Sequence, residues 1–171
     1  MKPVTLTIAA ALIALAASLA HTAELPQGVI QVAAKPAPPL QLDNLEGEAY
    51  DLENSQGHWR FVHFWASWCA PCRKEMPSID RMTRLLGDSD IEFVLVNTAE
   101  TEDSVFTFLG IVAPDLVPLL DSDGLATEAW QPRGLPATYL VDPDGLIRYQ
   151  ALGGREWEKP AYLEFLRNLE K

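Results

Sequence analysis

The hydrophobic pattern along the chain changes period several times, and each change predicts an element. Arg60-Phe61-Val62-His63-Phe64-Trp65 is aromatic and β-branched with little polarity, the pattern of a central strand covered on both faces. Between Pro71 and Leu86, the residues Met76, Ile79, Met82, Leu85 and Leu86 recur at helical spacing, and Gly87 follows as a stop. Residues 91–96 form a second buried strand. Thr101-Glu102-Asp103 starts a helix that carries Val105, Phe106, Phe108 and Leu109 toward Gly110. A short strand over 117–120 and one or two helical turns over 125–130 come next. Residues 137–141 and 146–150 flank Asp142-Pro143-Asp144-Gly145, a hairpin turn. A final helix runs over 160–169, with Pro160 in its first turn. Ahead of all this, Leu40-Gln41-Leu42 and Ala49-Tyr50-Asp51-Leu52 alternate about the turn at 44–47, which predicts an N-terminal β-hairpin. The succession is β-hairpin, then β-α-β-α-β, then β-β-α: one α/β domain without internal repeats.

The N-terminus follows a different pattern. After Met1-Lys2, residues 4–20 carry no charge and are mostly Ala, Leu and Ile, and Ser18-Leu19-Ala20 places small residues at a cleavage site. This is the layout of a secretory signal. Seventeen uncharged residues also sit at the lower edge of a membrane span, so a retained anchor is the alternative. Either one places the domain outside the cytoplasm. Pro26, Gly28 and Pro36 then give an extended leader. The expected organisation is a signal or anchor over 1–20, a leader over 21–37 and a folded domain over 38–171.

Composition narrows the choice of partners. With 48% hydrophobic residues the 171-residue chain is too apolar to be disordered. Thirteen basic against 24 acidic residues leave a net charge of −11, which argues against nucleic acid and against a polybasic lipid contact.

Candidate chemistry sits at Cys69 and Cys72, where a buried strand gives way to a helix. Unpaired N–H groups and the dipole at a helix N-terminus favour an anion, so Cys69 is expected to have a lowered pKa. Pro71 fits the first helical turn. A disulfide closing a loop this short stabilises by only about 1.9 kcal/mol on chain-entropy grounds, a weak staple. The second thiol is placed to attack a mixed disulfide formed on the first. The competing readings are a structural disulfide, two inert thiols, and a zinc half-site short of ligands, since only His58 and His63 lie nearby in sequence.

Phe64-Trp65-Ala66-Ser67-Trp68-Cys69-Ala70-Pro71-Cys72 resembles the active-site segment of the thioredoxin superfamily. Cys72-Arg73-Lys74-Glu75-Met76-Pro77 is similar to its TlpA/ResA-like branch of secreted thiol-disulfide oxidoreductases. Gly134-Leu135-Pro136-Ala137-Thr138-Tyr139-Leu140-Val141-Asp142 resembles that branch's cis-proline loop and following strand. The resemblance implies a thioredoxin fold: a central mixed sheet flanked by helices, with an added N-terminal β-hairpin and a helix-strand insertion. It implies Cys69 as attacking thiol, Cys72 as resolving thiol and a cis bond at Pro136. Candidate substrate contacts are Trp68, Ala70, Pro71, Leu135 and Pro136, with site packing the alternative for Trp68, and the resemblance implies a membrane thiol-reductase as electron donor. No cofactor and no metal are expected, and the protein is expected to act as a monomer on protein disulfides. Two positions depart from the pattern. His63 stands six residues before Cys69, where ordinary thioredoxins keep a buried acid. Pro136-Ala137-Thr138 lacks the Pro-Glu-Thr of cytochrome c maturation members, which weakens that job.

Glu75, three residues past Cys72, shares its helix face and is a candidate to exchange a proton with that thiol. The alternative is a solvated first-turn glutamate. By strand alternation His63 shares a face with Phe61 and Trp65, so it is either a core histidine or a partner in proton traffic. With Ala70-Pro71 and no histidine between the cysteines, the thiolate is less stabilised, and the expected activity is reduction of protein disulfides. An oxidant or isomerase, and a non-catalytic thioredoxin-fold binding module or chaperone, are the alternatives.

Overall fold

The computed structural model describes residues 24–170. Most of the expected elements form where the pattern places them. In chain order they are β1 (Val29–Pro36), β2 (Gln41–Asp43), β3 (Ala49–Asp51), β4 (Trp59–Trp65), α1 (Ala70–Leu85), β5 (Ile91–Thr98), α2 (Glu102–Val112), β6 (Leu119–Asp121), α3 (Leu125–Trp130), β7 (Ala137–Val141), β8 (Leu146–Leu152) and α4 (Pro160–Leu169). A single 3-10 turn, Leu52–Ser55, follows β3. The main sheet has the order β1-β8-β7-β4-β5-β6. It is mixed: β4, β5 and β6 are parallel, whereas β7, β8 and β1 pair antiparallel. Strand β6, reached through α2, extends the sheet beyond β5 as the helix-strand insertion.

Alternation along β4 sends its residues into two cores. Phe61 and Trp65 pack with Met76, Ile79 and Met82 of α1, Phe108 of α2, and Trp157 and Leu166 at the C-terminal end of the chain. Val62 and Phe64 face the other way, toward Leu40, Leu52, Trp130 and Tyr139. The N-terminal hairpin and α3 therefore cover the second face, so β4 is apolar on both sides. In α1 the buried stripe passes through Met76, Ile79, Met82 and Leu86, while Leu85, expected on it, is exposed. In α2, Val105, Phe108 and Leu109 are buried and Phe106 is exposed. That helix continues through Gly110 to Val112.

One expectation needs correction. The segment read as a leader over 21–37 is a strand from Val29 to Pro36, antiparallel to β8, with Val29 opposite Ala151 and Pro36 opposite Leu146. The sheet thus begins ahead of position 38. The reason is that β1 is an edge strand: only Val29 is buried, so it shows almost no apolar alternation, and its proline closes the strand at the edge, where prolines are tolerated. The expected signal or anchor over 1–20 lies outside the described residues. Among the described residues no helix is long and apolar enough to cross a membrane.

Candidate active site

Parallel strands place the chemistry at their carboxyl ends, and this sheet follows that rule. Strand β4 ends at Trp65, and a short loop leads into α1. Cys69 is the N-cap of that helix, and its sulfur accepts from the Cys72 backbone N–H at 3.4 Å. Pro71 occupies the first turn, where no intrahelical donor is lost. The two cysteines form a disulfide, with Cα atoms 5.2 Å apart. Cys69 keeps 7% exposure and Cys72 none, so only one of them is open to a partner. Trp68 is 64% exposed beside it, and Ala70 and Pro71 are exposed as well.

The loop before Cys69 is held by a residue that sequence reasoning missed. Glu100 Oε2 accepts from the Ser67 backbone N–H at 2.6 Å and from Asn97 Nδ2 at 2.7 Å, while its Oε1 accepts from the Ser67 hydroxyl. Ala99, immediately before it, has φ +54°, a left-handed conformation unusual for a residue with a side chain. The signal that points to it is positional: the polar residues Asn97, Thr98 and Glu100 come where the buried strand β5 ends, at the carboxyl ends of the parallel strands. Arg73 braces the same loop from α1. It donates to the Ser67 carbonyl at 3.1 Å and lies over the Phe108 ring at 5.1 Å.

The second flank is Pro136. The β4–β7 register pairs Phe64 with Ala137, which sets Pro136 beside the end of β4. The Leu135–Pro136 bond is cis. Pro136 is buried and Leu135 half-buried, and the Pro136 carbonyl accepts from the Gly153 N–H at 2.9 Å.

Glu75, one turn along α1 from Cys72, and His63 on β4 are both buried. Glu75 Oε1 accepts from Trp157 Nε1 at 2.6 Å and from the Arg155 backbone N–H at 3.2 Å. Its Oε2 faces His63 Nε2 at 3.7 Å, and neither of these two atoms has another partner. His63 Nδ1 lies 2.9 Å from Thr138 Oγ1 on the neighbouring strand. Burial pushes the Glu75 carboxyl up to about 8, against the opposing pull of its two hydrogen bonds and the Arg155 charge. Burial, with the Arg155 charge adding to it, pushes His63 down to about 3. Both shifts favour the uncharged forms, a protonated carboxyl on Glu75 and a neutral imidazole on His63. The solvated-glutamate reading of Glu75 does not hold, because α1 turns this residue inward. His63 is a core histidine and a neighbour of Glu75 at once. Trp157 and Arg155 were also missed by sequence reasoning, and a tryptophan within the polar run Gly154-Arg155-Glu156-Trp157-Glu158 was the available signal. His58 lies apart from the cysteines, on an exposed contact to Asp90 at 2.8 Å. Among the described residues no three His, Cys, Asp or Glu side chains converge as metal ligands.

Comparison with known proteins agrees with this architecture. The AhpC/TSA family pattern matches residues 33–150. Thiol-disulfide oxidoreductase ResA of Bacillus subtilis is 30% identical over 111 residues, which cover 65% of this chain and 62% of that protein. The ResA protein of Bacillus thuringiensis subsp. konkukian is 27% identical over 135 residues, 79% of this chain and 77% of the relative. Among solved structures, one described as thiol:disulfide interchange protein DsbE from Chlorobium tepidum superposes with a TM-score of 0.68 at 26% identity, covering 82% of this chain and 96% of that one. StoA from Bacillus subtilis gives 0.65 at 25% identity, covering 81% and 100%. The chain belongs to the AhpC/TSA family, with the thioredoxin fold of its thiol-disulfide oxidoreductases.

Proposed function

We propose that this protein reduces disulfides of other proteins outside the cytoplasm, with Cys69 attacking and Cys72 resolving. The observation that carries the reading is the asymmetry of the pair: Cys69 caps the helix N-terminus and keeps 7% exposure, and Cys72, inside the first turn, has none and shares its helix face with the buried Glu75. In the reduced protein the Cys69 thiolate attacks one sulfur of a substrate disulfide. That bond breaks, the departing sulfur takes a proton, and a mixed disulfide forms. Cys72 then attacks Cys69, releases the second substrate thiol and re-forms the Cys69–Cys72 bond, so two electrons have passed to the substrate.

Glu75 supplies the proton bookkeeping. It lies one turn along α1 from Cys72 on the same buried face. In the oxidised protein it holds a proton. When a donor dithiol opens the disulfide at Cys69, Glu75 protonates the departing Cys72 sulfur, and in the resolving step its carboxylate takes that proton back. His63 steadies Glu75 in both states. Trp68, Ala70, Pro71, Leu135 and Pro136 form the contact surface, where an extended substrate segment adds beside the start of β7. The signal-like segment over 1–20 supports an extracytoplasmic location, and a membrane thiol-reductase is the electron donor that the family resemblance suggests.

Direction is tested by the equilibrium potential of the Cys69–Cys72 couple against glutathione and a thioredoxin-range dithiol. With no histidine between the cysteines, the expected value is roughly −230 to −280 mV. A value about −120 mV, the range of strong oxidants, reverses the direction.

A further inference from the structure

Arg155 is bound in an unusual way. Its guanidinium meets three backbone carbonyls: Gln27 at 3.2 Å from Nη1, and Leu152 and Gly153 at 2.8 and 3.0 Å from Nη2. It lies over the Trp157 ring at 5.0 Å and the Tyr162 ring at 5.9 Å. Among the described residues no carboxylate pairs with it, although Arg81, Arg84, Arg148 and Lys159 all pair with one. Its charge is therefore not cancelled by an adjacent anion. The same stretch of chain holds Glu75: the Arg155 backbone N–H and, two residues further along, the Trp157 indole both donate to Glu75 Oε1. The loop from β8 to α4 thus ties a free cation to the Glu75 carboxyl.

The other side of the seat is the segment before β1. Gly28 has φ +75°, and a Cβ there would lie 3.0 Å from Arg155 Nη1 and 3.5 Å from Nη2. The left-handed backbone favours glycine here, and a side chain would press on the guanidinium and push it aside by a few tenths of an ångström. The Gln27 carbonyl is held a second time, by the Tyr162 hydroxyl at 2.9 Å. The charged or titratable groups facing Glu75 are His63 from β4 and Arg155 from the β8–α4 loop. Arg155 acts in the same sense on both members of the pair, since a cation disfavours protonation of a carboxylate and of an imidazole alike.

The geometry points to Arg155 as a positioning residue: seated by Gln27 and Gly28, it governs how tightly the buried Glu75–His63 pair holds its proton, and so when Cys72 is freed to attack. The inference rests on the reading that Glu75 exchanges a proton with Cys72. It extends the site to Gln27 and Gly28, 42 and 41 residues ahead of Cys69. Anything that displaces the 27–28 turn would move the cation and retune the thiol without touching it.

The test reads the two links separately, in the full protein. Carboxyl carbon NMR of the oxidised protein follows Glu75 directly. Arg155→Met keeps the stem and the backbone N–H but removes the charge. It should raise the Glu75 midpoint by about half a unit or more, less than the shift for a contacting ion pair. Arg155→Lys should restore most of the wild-type midpoint. Gly28→Ala, which displaces the guanidinium and keeps its charge, should shift the midpoint in the same direction by less, and it serves if Arg155→Met does not fold. In the reduced protein, the pH profile of Cys72 alkylation should move upward in Arg155→Met, and that movement should vanish in a Glu75→Gln background. An unmoved Glu75 midpoint in both Arg155→Met and Gly28→Ala overturns the inference. So does a thiol shift of equal size with and without Glu75, which would make Arg155 act by another route. If Glu75→Gln alone leaves the Cys72 profile unchanged while the Glu75 midpoint still follows Arg155, the failure belongs to the proton-exchange reading, and the link to the thiol falls with it.

Discussion

Cys69 and Cys72 have the same chemistry but different surroundings, and the proposed order of attack follows from that difference. The cap position gives Cys69 the unpaired N–H groups of the first turn, and its sulfur already accepts one of them in the oxidised state. Cys72 has no exposure and can reach only what Cys69 brings to it. Cys72→Ser should therefore accumulate mixed disulfides through Cys69, because the resolving sulfur is gone, while Cys69→Ser should accumulate few. Mass spectrometry of alkylation-quenched samples counts the trapped species. More efficient capture by Cys69→Ser would invert the order of attack.

At the scale of elements, the site is a junction held from three sides. Strand β4 delivers the loop, α1 receives it, and the turn after β5 braces it through Glu100. That brace satisfies two donors of Ser67 and the amide of Asn97, a residue that is 1% exposed. Glu100→Ala leaves those donors without their acceptor. It should cost about 1–3 kcal/mol of stability, read from urea unfolding. A loss below about 0.5 kcal/mol, the size of an ordinary surface substitution, would mean that the loop holds its shape without the carboxylate. The left-handed turn at Ala99 fits the same role, since it is a backbone conformation kept where the surrounding structure demands it.

The whole molecule registers the buried pair in its pH dependence. Glu75 is raised from 4.5 to about 8, so the folded protein keeps a proton that the unfolded chain releases above 4.5. Its contribution is full below 4.5 and is lost as pH rises to about 8. His63 is lowered from 6.5 to about 3, so its contribution is full above 6.5 and is lost as pH falls to about 3. The two trends oppose each other between 4.5 and 6.5, and above 6.5 only Glu75 remains. From pH 6.5 to 8, wild type should lose up to about 2 kcal/mol relative to Glu75→Gln, at about 1.4 kcal/mol per proton per pH unit. Denaturant unfolding of both oxidised proteins at the two pH values measures it. A difference that stays constant or widens in favour of wild type would show that Glu75 ionises normally in the fold.

Local pattern was enough for the frame of this protein. The strands 60–65 and 91–96, the helix after Pro71 and the Asp142–Gly145 turn are each dictated by period and turn chemistry within a short window. The Cys69–Cys72 spacing at a strand-to-helix junction made the dithiol legible for the same reason, because the helix N-terminus on which it sits is set by local pattern. Strand β1 was hidden because an edge strand with one buried residue has no alternation to read, and only its partner β8 makes it a strand. Glu75 and His63 were nameable as candidates, 12 residues apart in sequence, but their approach to 3.7 Å depends on how α1 packs on β4. Glu100, Arg155 and Trp157 reach the site across 33 to 82 positions of chain. Desolvation and charge act through space, so the direction in which Glu75 and His63 are each shifted is decided by tertiary packing and not by local sequence.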